Sequence, residues 1–357
     1  AIPPPPNIVW IIADDMSPDT AAYGLRDVKT PHLDRLAAEG RRYTRAYASA
    51  PVCSSSRSAF ILGTSQITTG LHAHDVENPQ PLPAPYRHLP ALLREAGWFV
   101  TNAAAPGTMR SSRVIKKGKT HYNFAHDPAQ MFDGDDWRKR QPGQPFFAQF
   151  QITEPHRPFP IPETYDPATL AGLTLPPNYP DHPLMRRDWY AYQRSVETVD
   201  QRVGVILAQL AEAGVLDNTL VFFFADHGRP MPWGKQWLTV EGVHVPLLVR
   251  GPGATAGSDA VEEAGGDEVV VEFGHATHHE VGVRGVEQVV EAGGAVHIAA
   301  GGLGFRGIAQ FRHPAVVAEL HRGHGDGLEL VDVVEQAVAT PGLGDHPLDT
   351  GHIAGGQ

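Results

Sequence analysis

Apolar residues along the chain fall into two kinds of run. The first kind is short and unbroken, as in Asn7-Ile8-Val9-Trp10-Ile11-Ile12-Ala13, Phe146-Phe147-Ala148-Gln149-Phe150, Thr219-Leu220-Val221-Phe222-Phe223-Phe224 and Val245-Pro246-Leu247-Leu248-Val249. Runs of this length, rich in β-branched and aromatic side chains, predict strands covered on both faces. The second kind steps by three and four: Val196, Val199, Val203, Ile206 and Leu210 recur at the spacing of one helical face, closing at Gly214 ahead of Asn218. A further helix is predicted where Thr30-Pro31 precedes His32 to Glu39 and Gly40, with a cap residue, a proline at the first helical position and a glycine stop. Strands alternating with helices indicate an α/β layer fold around a mixed, largely parallel sheet flanked by helices.

With 357 residues, 41% hydrophobic and 19% charged, the chain has the length and composition to bury a large core. It carries no apolar run long enough to span a bilayer, which gives a membrane role no support. A net charge of -11 without a contiguous basic surface argues against nucleic acid. The single cysteine excludes an internal disulfide. The opening Ala1-Ile2-Pro3-Pro4-Pro5-Pro6 suits a trimmed secretory leader or a mere chain boundary, so periplasm, secretion and cytoplasm all stay open. After about Gly257 the composition changes: Lys, Trp, Tyr, Cys, Met and Asn vanish, and Gly, Ala, Val, Glu, Asp and His take over. We therefore expect a catalytic domain over 1–256 and an atypical tail over 257–357 that is not natively folded.

Two acidic clusters, Asp14-Asp15 and Asp226-His227, each follow a buried strand. Ligands of open α/β sheets gather at the carboxyl ends of strands, so these clusters are expected to meet at one sheet edge, in the kind of oxygen-rich setting that holds hard cations. Between them lies Pro51-Val52-Cys53-Ser54-Ser55-Ser56-Arg57-Ser58-Ala59-Phe60. On its own this stretch reads equally well as a serine-capped helix start around a small buried cysteine. If a helix begins after Cys53, however, its positive dipole end faces residue 53 and Arg57 stands one turn along the same face, which makes a seat for a tetrahedral anion.

The order and spacing of Asp14-Asp15, Cys53 to Arg57, Gly118-Lys119, Asp226-His227-Gly228 and Gly234-Lys235 resemble the sulfatase family over about residues 7 to 253. Gln66 to His74, Gly118-Lys119-Thr120-His121-Tyr122-Asn123-Phe124 and Glu154-Pro155-His156-Arg157-Pro158-Phe159 resemble bacterial sulfatases grouped with heparan N-sulfatase. The resemblance implies an alkaline-phosphatase-like fold, a bound calcium or magnesium, and oxidation of Cys53 to formylglycine by a sulfatase-maturating enzyme. It implies Asp14, Asp15, modified Cys53, Asp226 and His227 as metal ligands. Arg57, Lys119, His121, His156 and Lys235 are the implied contacts of the sulfate or nucleophile. The implied activity is hydrolysis of a sulfate ester or N-sulfate on a sugar. One hydroxyl of the hydrated aldehyde attacks sulfur, and the second, losing its proton to His121, expels sulfate.

Two features depart from that family. Ser55 stands where it has proline or alanine, and the tail after Arg250-Gly251-Pro252-Gly253 resembles none of its C-terminal subdomain, so that subdomain is expected to be atypical or missing. Two other functions stay open: a phosphodiesterase or phosphonate monoester hydrolase of the same superfamily, and an inactive protein that binds sulfated glycans. Taken singly, His72, His74 and His156 suit half-buried surface histidines, Lys116 and Lys117 a solvated loop, and the irregularly spaced His275, His278, His279 and His324 no site at all.

Overall fold

A computed structural model describes residues 5–110, 113–159, 165–252, 257–259, 269–270, 290–292 and 295–297. The chain divides into two units, Ala1–Gly307 and Ile308–Gln357, and every described residue belongs to the first. Its principal elements in chain order are β1 Asn7–Ala13, α1 Pro31–Glu39, β2 Arg41–Tyr47, α2 Cys53–Leu62, α3 Leu89–Glu95, β3 Phe99–Ala104, β4 Phe146–Ile152, α4 Pro183–Glu212, β5 Thr219–Ala225 and β6 His244–Arg250. The strands form one sheet in the order β2-β6-β5-β1-β4-β3. β3, β4, β1 and β5 run parallel, whereas β6 is antiparallel to both neighbours. The expected mixed, largely parallel sheet flanked by helices is thus the observed one.

All four predicted strands are present, and β4 and β5 are buried along their whole length. The central strand β1 pairs from Ile8↔Phe147 to Ala13↔Ile152 on one side and up to Ala13↔Ala225 on the other, so three parallel strands end flush. That alignment decides where the chemistry sits, because the residues following each strand emerge side by side. Beneath them Trp10 packs edge-on against Phe60, Phe147 and Phe224 at ring separations of 6.0, 5.0 and 5.6 Å. These contacts pin α2 to the sheet, and removing any one such ring would cost roughly 3–5 kcal/mol.

α4 buries Val196, Val199, Val203, Ile206 and Leu210 completely, the stripe that the sequence spacing marks. α1 begins with Pro31 as expected, but Thr30 gives it no side-chain cap. The Thr30 hydroxyl instead accepts the Ala21 N–H, while Asp200 of α4 accepts the Leu33 N–H at 2.8 Å and serves the helix start. β2 and β3 have no apolar run to announce them: Arg41-Arg42-Tyr43-Thr44-Arg45-Ala46-Tyr47 is a charged strand near the sheet edge, and β3 carries buried Thr101 and Asn102. Short strands at 258–259 and 269–270 lie parallel to β2. Residues 290–292 pair antiparallel with 295–297, and apart from Gly257 and these short strands the expected atypical tail lies outside the described residues. Among the described residues, no helix is long and apolar enough to cross a membrane.

Candidate active site

The flush strand ends bring the two acidic clusters together. Asp14 follows β1 and donates its N–H to the Ile152 carbonyl at 3.1 Å; Asp226 follows β5 and donates its N–H to Ala13 at 3.2 Å. One carboxylate oxygen of Asp226 accepts the N–H groups of both Asp15 and His227 at 3.0 Å, which locks the two turns to each other. Asp15 holds a left-handed conformation, φ 64°, that a non-glycine residue keeps only where its surroundings enforce it.

α2 starts at Cys53 itself and points its first turn at these carboxylates. The Cys53 sulfur lies 3.2 Å from His227 Nε2, 3.8 Å from Asp15 and 3.9 Å from Asp14. Donor atoms of Asp14, Asp15, Cys53, Asp226 and His227 all fall within 4.8 Å of one another, and all five residues are buried. One turn along the helix, Arg57 is 1% exposed. Its guanidinium donates to Asp226 at 2.8 Å and to Gln151 Oε1 at 2.9 Å, with Asp14 at 3.6 Å. Arg57, one turn along α2 as expected, therefore braces the buried carboxylates.

Two lysines close the cluster from separate loops. Lys119 Nζ bridges both Asp14 oxygens at 2.8 and 2.9 Å. Lys235 Nζ bridges both Asp15 oxygens at 2.9 and 3.0 Å and reaches the Cys53 sulfur at 3.4 Å. The Lys119 loop depends on Gly118, because a Cβ there would lie 2.3 Å from Asn102 Oδ1. His121 hydrogen-bonds Asp75, and its electrostatic coupling to Cys53 raises its own pKa above the usual range. His156 sits at the rim, with Nε2 3.9 Å from Asp15 and Nδ1 on the Arg157 carbonyl. All ten candidate residues thus surround one centre, whereas Lys117 stays exposed away from these contacts.

Three residues of the site are not expected from the sequence, and a fourth, His74, is expected only as a half-buried surface histidine. Gln151 and Asn102 link Arg57 to the Lys119 backbone through bonds of 2.9, 3.1 and 3.3 Å. Asp75 orients His121, and His74 Nδ1 meets the Ser54 hydroxyl at 3.0 Å. The available signal was weak: a polar glutamine at the end of an apolar strand. Ser55, the departure from the family motif, hydrogen-bonds the carbonyls of His72 and Ala73 at 2.9 and 3.0 Å, so its hydroxyl holds the loop that carries His74 and Asp75.

Burial and the charge of Asp226 push the Asp14 carboxyl up to about 8. For Asp226 itself burial opposes ionisation, but the charges of His227, Arg57 and Lys119 outweigh it and hold the group well below the usual carboxylate range. Burial and Asp226 push the Cys53 thiol up, yet its interactions with His121 and His227 prevail and bring it down to about 5. His227 Nδ1 faces the Gly228 carbonyl at 3.0 Å, while Nε2 lies 3.0 Å from Asp15 and 3.2 Å from the Cys53 sulfur; burial opposes its charge, but Asp226 and Asp15 hold the imidazole well above its usual range, so Nε2 would donate an electron pair only on giving up its proton. Three buried carboxylates, one of them reluctant to ionise, plus the His227 imidazole and residue 53, form a donor set that suits a divalent cation.

The sulfatase family model matches residues 6–268. An ulvan-active sulfatase of Formosa agariphila is 29% identical over 306 residues, covering 70% of this chain and 48% of that protein. Human N-sulphoglucosamine sulphohydrolase is 28% identical over 288 residues, covering 70% of this chain and 55% of its own length. The chain therefore spans about half the length of these relatives. A phosphonate monoester hydrolase of Agrobacterium radiobacter superposes with a TM-score of 0.54 at 19% identity, over 75% of this chain and 71% of that one, which shows a shared fold.

Proposed function

The chain belongs to the sulfatase family, and from that premise we propose that it hydrolyses sulfate esters or N-sulfates carried on a sugar. The observation that carries this reading is the convergence, within 4.8 Å, of Cys53 with three carboxylates and an imidazole, ringed by cations that suit an anionic tetrahedral group. Both relatives are named for action on sulfated carbohydrate or amino sugar.

Asp14, Asp15, Asp226 and His227 would hold calcium or magnesium, with residue 53 as the fifth donor. When bound, such an ion supplies positive charge that polarises oxygen and neutralises the clustered carboxylates. Oxidised to formylglycine by a maturating enzyme, residue 53 would supply a carbonyl that hydrates to the nucleophile. This chain's own groups do the rest. Lys119 and Lys235 come from separate loops onto the carboxylates beside residue 53 and counter negative charge on the transferring group. His121, oriented by Asp75 and electrostatically coupled to residue 53, would take up or return a proton there. His156, 38% exposed on its side chain, is placed at the rim to protonate the leaving oxygen or nitrogen. Arg57 keeps Asp226 ionised and fixed in place.

Mass spectrometry of the Cys53 peptide, after co-expression with a maturating enzyme, should find formylglycine. The same preparation should turn over 4-nitrophenyl sulfate faster than the matching phosphonate ester. Asp226→Asn should lower calcium affinity by calorimetry and abolish turnover. Turnover by protein with only unmodified thiol would remove the proposed nucleophile, and a preference for the phosphonate would move the activity to the other branch of the superfamily.

A further inference from the structure

The chain has six tryptophans, and the fold buries four of them: Trp10, Trp98, Trp137 and Trp189 are 2%, 4%, 3% and 1% exposed. The other two, Trp233 and Trp237, are 50% and 53% exposed and bracket Lys235. A large aromatic left half in water forgoes much of the stabilisation its burial would bring, so two together in a molecule that buries the rest call for an occupant. Their rings meet at 5.2 Å and 61°, one edge toward the other's face.

The loop that carries them is held firmly against the reacting centre. Gly234 is buried against the Arg229 carbonyl, which a Cβ would meet at 2.1 Å. Lys235 N–H donates to that same carbonyl at 2.8 Å, and Gln236 N–H donates to Pro51, two residues before Cys53, at 2.8 Å. The Thr239 hydroxyl holds the Trp233 carbonyl. Trp233 and Gln236 both adopt left-handed backbone, φ 65° and 75°, which costs energy in residues with side chains and persists where the surroundings impose it. The backbone on either side of Lys235 is therefore fixed, and the two exposed indoles flank in the chain a residue whose ammonium lies 3.4 Å from the Cys53 sulfur.

We propose that Trp233 and Trp237 form a stacking platform for a sugar ring of the substrate, next to the ring position that bears the sulfate. This rests on the sulfate-hydrolysis reading and adds its specificity. A pyranose presents apolar C–H faces and a polar rim. Indole faces match the former, while Lys235, between them in the chain, takes the anionic substituent at the reacting centre. A bare anion would gain nothing from the indoles, and a protein surface would have to accommodate a lysine and an acidic pocket at the centre of its contact.

The test uses the full matured chain and Trp233→Ala, Trp237→Ala and the double variant, each checked for an unchanged melting temperature. Kinetics with sulfated disaccharides prepared from heparin and from ulvan should show KM raised about tenfold for each single variant, with the inhibition constant of inorganic sulfate unchanged. In parallel, titrating the wild type with the same disaccharides should quench tryptophan fluorescence, and the double variant should lose that quench. Failure of the wild type to hydrolyse any sulfate would count against the sulfatase reading alone, since the fluorescence titration still reports on the platform. Equal KM values in all four proteins, no quench by any disaccharide, or a wild-type dimer that the double variant abolishes would each overturn the platform.

Discussion

Two helices of this molecule bury themselves by opposite means. α4 does so by periodicity: an apolar stripe faces inward and charged residues face water. α2 buries all ten of its residues although Cys53-Ser54-Ser55-Ser56-Arg57-Ser58 contains no stripe. It can do so because each polar group meets a partner. The hydroxyls of Ser55, Ser56 and Ser58 bond backbone carbonyls, Ser54 meets His74, and Arg57 meets Asp226. On α4, by contrast, the buried Gln193 amide and Ser195 hydroxyl find no bond to another described residue. Burial on α4 rests chiefly on the packing of its apolar stripe, whereas burial on α2 works only as part of a network anchored in the site.

The comparison breaks most readily at Arg57. Arg57→Met should destabilise the protein by about 3–5 kcal/mol in urea unfolding, because it leaves Asp226 and Asp14 buried without their counter-charge. A loss below 1 kcal/mol would mean that α2 is held by packing, like α4. Next in size, Lys119→Ala and Lys235→Ala should each lower kcat/KM about a hundredfold, roughly 3 kcal/mol of barrier, while the exposed Lys117→Ala leaves it unchanged. Equal small effects at all three would displace the anion site.

Asp200, like Trp189 and Tyr192, is a buried polar residue of α4 that does meet a partner: it accepts the Leu33 N–H, and burial raises its carboxyl to about 6. A folded-state value above the unfolded one means that the folded protein binds the extra proton between about pH 4 and 6, so its stability should fall as pH rises through that window and level off above it. Asp200→Asn should lack that slope, so stability relative to wild type should move in its favour by on the order of 2 kcal/mol between pH 4 and 6. Parallel curves would show that the Asp200 carboxyl ionises normally. The smallest expected effect is at Gln193: Gln193→Met should be neutral or stabilising by up to about 1 kcal/mol, with turnover unaffected. A loss beyond 1 kcal/mol would show that the amide is bonded after all.

What could be read from residues alone follows the same divide. The strands β1, β4, β5 and β6 and the stripe of α4 were legible because continuous or periodic apolar residues carry their own burial. β2 and β3 were not, since a charged strand near the edge and one with buried Thr101 and Asn102 depend on neighbours that no local window contains. Likewise, the acidic clusters, Cys53 and Arg57 could be singled out from their places at strand and helix ends, whereas Lys119, His121, His156 and Lys235 were implied only by the resemblance to sulfatases. The inward aim of Arg57, the Asp75 support of His121, and the links through Gln151 and Asn102 could not be inferred in that way.

By itself, then, the sequence determined the strand cores, the long helix, and the inventory of acids, cations and one cysteine placed at strand and helix ends. The tertiary structure alone decided that Ala13, Ile152 and Ala225 end in register, which sets Asp14 beside Asp226. It also decided that Asp200 rather than Thr30 serves α1, and that Trp233 and Trp237 stand outside while four other tryptophans go in. The physical reason is range. Burial preference and helical period act between near neighbours in the chain, whereas register, counter-charge and the satisfaction of a buried polar group are settled between residues as many as 220 positions apart.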